Sequence, residues 1–218
     1  MRRTRVSTLL ALMAFVMSAG AAPIAIPGLY STGTSGEGNV DPYYWLAASP
    51  YGPLPVYVVT TDGFPIPPWA ANNGSSRWIS RTANAQADAV GFYTFRTTFD
   101  LTGFLPHTAV IVGQWSSDNS AQIWLNGVFT GIALNWEQPF WSLHNFTITS
   151  GFQAGLNILD FVVENWDCPG CNDWNPVGLR VNILEATAEP VPEPATFALL
   201  GIGLIGLGLL RRGLKREG

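Results

Sequence analysis

The 218-residue chain predicts an all-β fold, an antiparallel sandwich or barrel, set between two ends of different character. Three observations carry that prediction. Several short stretches alternate apolar and polar residues with period two and are rich in aromatic and β-branched side chains, the pattern of a half-buried strand. Turn-forming Gly, Pro, Asn and Asp separate them at near-regular intervals. No sustained amphipathic helix pattern occurs between the ends.

The first element is a leader. Arg2, Arg3 and Arg5 precede a short apolar core, Leu9–Met17, and Ala19-Gly20-Ala21 has the small-x-small pattern of a signal-peptidase site. Residues 1–21 are expected to be a signal peptide handled by the Sec translocon and signal peptidase, with Ala22 as the first mature residue. The flanks of Arg2-Arg3 lack a twin-arginine consensus.

Prolines crowd the next segment, Pro23 to Pro68, and no long run there alternates cleanly. Val56–Thr61 reads as an edge strand and Trp78-Ile79 as the start of another. The clearest strand is Tyr93–Leu101. Tyr93, Phe95, Thr97, Phe99 and Leu101 share one face, and Thr94, Arg96, Thr98 and Asp100 share the other. Ala109–Trp115 is apolar enough for a central strand, and the polar run Ser116–Ser120 reads as a turn. Ala121–Leu125 and Val128–Ile132 form a hairpin about Asn126-Gly127, since both turn residues tolerate positive φ. Phe146–Thr149, Asn157–Asn165 and Gly178–Leu184 complete the strands.

Their order is specific. RTTFDL (Arg96–Leu101) leads to a strand ending WSSDN (Trp115–Asn119) and then to one ending LNG (Leu125–Gly127). After an aromatic loop, the chain from Phe146 to Asn165 runs F-x-I-x-x-G-x-x-x-G-x-N-x-L-x-F-x-V-x-N, and GLRV (Gly178–Val181) closes it. From Trp78 to Ile183 this resembles the galactose-binding-like jelly roll that accompanies glycosidases as a sugar-binding domain. The resemblance implies an antiparallel jelly-roll β-sandwich over residues 22–188. It leaves the ligand open, because that fold serves sugars, proteins, lipids and pure structure.

The last element is the most distinctive. Val191-Pro192-Glu193-Pro194 is followed by sixteen residues, Ala195–Leu210, in which Thr196 is the sole polar side chain; Arg211, Arg212, Lys215 and Arg216 come next. Sixteen residues lie near the lower limit for a membrane span, and the basic cluster fixes its direction, cations on the cytoplasmic side. Residues 189–218, with a transmembrane helix at 195–210, resemble the PEP-CTERM sorting signal of bacterial envelope proteins. The resemblance implies export, anchoring in the inner membrane, and processing by an exosortase-type enzyme. Delivery to the cell surface or extracellular matrix then follows. It implies no activity for the rest.

Composition narrows the function. Seven of the 11 basic residues lie in the two ends, so residues 22–190 hold Arg77, Arg81, Arg96 and Arg180 against 13 carboxylates, a formal charge of −9. A region so acidic is a poor match for phosphate backbones, which excludes nucleic acid as the expected partner. No nucleophile elbow, metalloprotease motif, phosphate loop or dinucleotide fingerprint occurs, and no enzymatic activity is expected. A glycosidase pair such as Glu137 and Glu164 is the remaining catalytic alternative.

Two loops collect candidate ligand contacts. Leu134–Leu143 carries Trp136, Glu137, Gln138, Phe140 and Trp141; Asn165–Asn175 carries Trp166, Asp167, Asp173 and Trp174. Aromatic faces stack on the CH faces of sugars while amides and carboxylates take the hydroxyls. Trp136, Glu137, Trp141, Trp166 and Trp174 are therefore the expected contacts for extracellular polysaccharide, against the alternative that they cover the open ends of a small sandwich. Asp118 either caps its turn or reaches ligand; the jelly-roll resemblance allows a structural calcium, although no EF-hand-type loop marks one. Cys168 and Cys171 form a Cys-x-x-Cys pair. Zinc needs two further soft ligands and a redox pair needs a βαβ setting, so an oxidising compartment favours a disulfide.

Overall fold

The structure is a computed structural model that describes residues 21–135, 137, 140–170, 174–192 and 201–206. Eleven strands are described: β1 Ile24–Ala25, β2 Val40–Ala48, β3 Leu54–Val58, β4 Ile79–Ser80, β5 Gly91–Asp100, β6 Val110–Asp118, β7 Ser120–Leu125, β8 Val128–Leu134, β9 His144–Ile148, β10 Leu156–Asn165 and β11 Gly178–Ala188. All their pairings are antiparallel. The hydrogen-bonded order is β8-β7-β10-β5-β2-β3-β4-β11-β6-β9, with β1 on β11. The path folds over near β2 and β3, so that β10 of one layer packs on β6 and β11 of the other. This is the jelly-roll sandwich.

Alternation explains the core. In β5, Tyr93, Phe95, Thr97 and Phe99 are buried while Asp100 is exposed, as period two requires. Phe161 of β10 packs on Trp115 of β6 at 5.8 Å and on Phe146 of β9 at 6.4 Å between ring centroids, which ties the two layers together. On the outer face Arg96 Nε and Nη2 each donate 2.7 Å hydrogen bonds to the Asp160 carboxylate, a two-pronged pair across β5 and β10. The Asn126-Gly127 hairpin forms as expected, with φ of 52° and 78°.

Two expectations are corrected and one strand is added. Val56–Thr61 is not an edge: the strand is Leu54–Val58 and lies inside the sheet between β2 and β4. Ser116–Ser120 is not a polar turn. Ser116, Ser117 and Asp118 are buried and continue β6, because they pair with Arg180, Leu179 and Gly178 of β11. β2 escaped prediction, since Pro42 and register shifts against both neighbours break its pattern.

Strand direction gives the sandwich two distinct ends. β6, β8 and β10 finish at the first end, where β5, β7, β9 and β11 begin. β11 then carries the chain to the second end. Residues 201–206 are helical, and among the described residues no helix is long and apolar enough to cross a membrane. Residues 1–20 and most of 195–210, where the leader and span are expected, lie outside the described residues.

Candidate functional site

The first end of the sandwich holds a cleft of ≈ 240 Å³. Its walls come from three connections: the Pro-rich segment before β4 (Phe64, Pro68, Trp69), the β8–β9 loop (Phe140) and the β10–β11 loop (Trp166, Asp167, Cys168, Trp174, Asn175, Pro176). The β6–β7 junction supplies Asp118 and Asn119 as its polar base. Trp166 and Trp174 are 37% and 43% exposed. Phe64 meets Trp174 edge-on at 4.8 Å and 79°, holding that indole upright.

Each wall is braced from below. Trp69 is 3% exposed, leans on Trp78 at 4.3 Å, and donates from Nε1 to Asp118 Oδ2 at 2.9 Å. Asn119 Nδ2 donates to Asp118 Oδ1 at 2.8 Å, while Asn119 Oδ1 accepts the Trp166 N–H at 2.8 Å. Arg180 of β11 is buried and donates to the carbonyls of Ala70 and Ala71 at 3.2 and 2.5 Å and to Ser76 Oγ at 2.9 Å, fixing the segment that carries Trp69. Gly178 leaves the space the ring fills, since a Cβ there would stand 2.4 Å from Trp69 Cη2.

Burial dominates the electrostatics. Asp118 is 4% exposed, and desolvation pushes its pKa up to about 7 against the opposing pull of the Trp69 hydrogen bond. Burial pushes the Arg180 guanidinium below its ordinary value, with nearby Arg77 adding to the effect. A second hollow of ≈ 420 Å³ lies on the other side of Trp174, lined by Tyr51, Asp88, Ala89, Asp167 and Asn175 among others. There Arg81 Nε pairs with Asp88 Oδ1 at 2.5 Å, and its guanidinium sits 4.4 Å from the Tyr51 ring centre. Burial raises the Asp88 pKa even beside this cation.

The structure brings together Trp166 and Trp174 of the expected contacts. Trp141 stands beyond the cleft, 64% exposed and edge-on to Phe140. Glu137 donates its backbone N–H to Asn135 Oδ1 and is absent from the described lining. Glu164, its imagined catalytic partner, sits in a different groove and accepts from Ser120 Oγ at 3.1 Å. Trp136 and Cys171 lie outside the described residues, as do Glu193, Pro194, Arg211 and Arg212. Among the described residues no cysteine is free. Asp118 does not cap a turn: the two hydrogen bonds it accepts come from side chains, one of them 49 residues away. Sequence reading missed Phe64 and Trp69. The one available signal was an aromatic pair bracketing prolines in Phe64-Pro-Ile-Pro-Pro-Trp69. Among the described residues no group of three or more His, Cys, Asp or Glu is placed to hold a metal ion.

At the second end, β11 runs on past Ala188 into the tail. Residues 190–212 match the family model of the PEP-CTERM protein-sorting motif. The chain carries that sorting motif. A PEP-CTERM motif implies an exported protein that is anchored and then processed by an exosortase. No curated protein matches the chain. Among solved structures, the sandwich is similar to a family 35 carbohydrate binding module from an environmental isolate, at 14% identity and TM-score 0.31, covering 56% of this chain and 85% of that one. It is also similar to the CBM35 of Paenibacillus barcinonensis, at 11% identity and TM-score 0.35, covering 75% and 98%. A β-glucosidase from Kluyveromyces marxianus matches at 8% identity and TM-score 0.31, covering 77% of this chain and 21% of that one.

Proposed function

We propose that this PEP-CTERM protein is an exported envelope or matrix component. Its sandwich is non-catalytic and holds surface polysaccharide in the cleft at its first end. The observation that carries the reading is the convergence of Phe64, Phe140, Trp166 and Trp174 over Asp118, Asn119 and Asn175. Apolar CH faces of a sugar stack on indoles, and its hydroxyls bond to the carboxylate and amide groups that line the cleft. The volume is below that of a site for a drug-sized ligand, so the cleft fits the end or one unit of a chain rather than a long oligosaccharide. The leader at residues 1–21, the sandwich over 22–188 and the anchor at 195–210 remain part of this reading.

The test uses the mature protein purified from cells with an active sorting enzyme, applied to a glycan array with and without calcium. Binding that is lost in Trp174→Ala supports the cleft. Retention on no glycan leaves a purely structural sandwich, and hydrolysis of labelled polysaccharide overturns the non-catalytic assignment. Processing is read separately by intact mass. The expected product begins near Ala22 and lacks Ala195 onward, and a chain ending at Gly218 in such cells contradicts sorting.

A further inference from the structure

The second end of the sandwich differs from the first in two ways, its tether to the tail and its scarcity of charge. The tail is tied to it up to the sorting motif itself. Leu105 N–H donates to the Glu189 carbonyl at 2.8 Å, Glu189 N–H donates to Thr108 Oγ1 at 2.8 Å, and Val191 N–H donates to the Gly103 carbonyl at 2.8 Å. Phe104 and Pro190 form an isolated bridge between these bonds. Pro192, Glu193 and Pro194 alone separate this strap from the apolar run that starts at Ala195. At ~3.6 Å per residue, the Cα atoms of Val191 and Ala195 are at most roughly 15 Å apart.

The same end is also nearly free of charge. The stretches 101–109, 126–128, 149–156 and 188–191 contain no Lys or Arg, and their titratable side chains are His107 and Glu189, with Asp100 at the margin. Four large apolar residues are exposed there: Ile24, Val128, Leu156 and Val191. Apolar side chains at a lipid interface are favourable, and few charges means little desolvation to offset.

We infer that this end is a membrane-facing surface: before processing, the sandwich stands on the lipid headgroups with Gly103–Thr108 and Gly151–Leu156 downward. The aromatic cleft then points away from the membrane. β11 runs from the cleft to the strap over eleven residues, which sets the two ends roughly 35 Å apart at about 3.3 Å per residue. A flexible linker would let the domain tumble and present either end. Three residues, two of them proline, limit the slack between strap and span to at most roughly 15 Å, so orientation follows from the fold. The sorting enzyme consequently meets its motif directly beneath the domain, with the cleft already turned toward extracellular polysaccharide.

The inference rests on the reading of Ala195–Leu210 as the anchor, and the test separates the two. The full chain, with Cys168 and Cys171 as Ser, is labelled with one fluorophore at Ala154→Cys or at Val90→Cys and reconstituted into phosphatidylcholine vesicles containing headgroup-nitroxide lipid. Flotation with vesicles reads the anchor alone. Among floating protein, the probe at 154 is expected to lose most of its emission and the probe at 90 to lose none. Inserting a long flexible Gly/Ser segment between Val191 and Pro192 is expected to abolish the difference. Equal quenching at both positions in the uninterrupted chain, or stronger quenching at 90, overturns the orientation while leaving the anchor standing. Failure to float overturns the anchor and the orientation with it.

Discussion

Trp69 Nε1 donates a 2.9 Å hydrogen bond to Asp118 Oδ2, joining the Pro-rich segment before β4 to the end of β6. The indole donates to the carboxylate at the base of the cleft, and the carboxylate fixes the indole in its wall. Most of the site's behaviour is expected to pass through this pair.

The first consequence concerns pH. The folded-state pKa of Asp118 is raised to about 7, well above the ordinary value near ~4. Between those values the folded protein keeps a proton that the unfolded chain has released. Stability therefore falls as pH rises through that window and levels off above it. Burial raises Asp41 and Asp88 as well, with the same sign, so the informative quantity is a difference. Asp118→Asn is expected to cost about 1–3 kcal/mol at low pH, because one of two donors loses its acceptor. It is also expected to flatten the dependence of melting temperature on pH between 4 and 8. An unchanged slope in the variant would remove Asp118 as its source.

Gly178 is expected to be intolerant for a steric reason alone. Its Cβ would stand 2.4 and 2.6 Å from Trp69 Cη2 and Cζ3, and 3.2 Å from Trp78. Overpacking of this kind typically costs ~1–3 kcal/mol. Gly178→Ala should lower the melting temperature and alter the near-UV dichroism of the buried indoles. Adding Trp69→Leu should restore part of the stability but not glycan retention. No recovery in the double variant would show that the clash is not with Trp69.

The exposed and buried aromatics should separate cleanly. Trp174→Ala removes a 43% exposed ring from the cleft and is expected to reduce polysaccharide retention with little change in melting temperature. Phe161 is fully buried against Trp115, Phe146 and Tyr44, and its truncation should cost roughly 3–5 kcal/mol. Paired denaturation and retention measurements check both. If Trp174→Ala destabilises as much as Phe161→Ala, the loop aromatics are packing rather than contact.

We expect Cys168 and Cys171 to form a disulfide in exported protein. The loop between them is so short that its contribution sits at or below the low end of the usual ~2–4 kcal/mol. The double Ser variant should fold and retain glycan as the parent does. Quantitative thiol labelling of unreduced protein would exclude the bond.

The sequence by itself determined what local periodicity and local chemistry encode. The alternation of Tyr93–Leu101 names its buried face residue by residue, Asn126-Gly127 names its hairpin, and Val191–Pro194 with the apolar and basic runs behind it names the sorting motif. Each of these signals is complete within a few neighbours along the chain. The cleft is a different kind of object. Phe64, Trp69, Asp118, Asn119, Trp166 and Trp174 come from three separate connections, and no spacing between them is regular. Ser116–Asp118 read as a turn because polar residues usually lie outside; pairing with β11 satisfied their backbone and drew them inward. Which end of the sandwich carries the aromatics, and which end releases the tail, was likewise undecidable from order alone. Only the directions of β6, β10 and β11, fixed by antiparallel pairing across distant segments, put the cleft and the sorting motif at opposite ends.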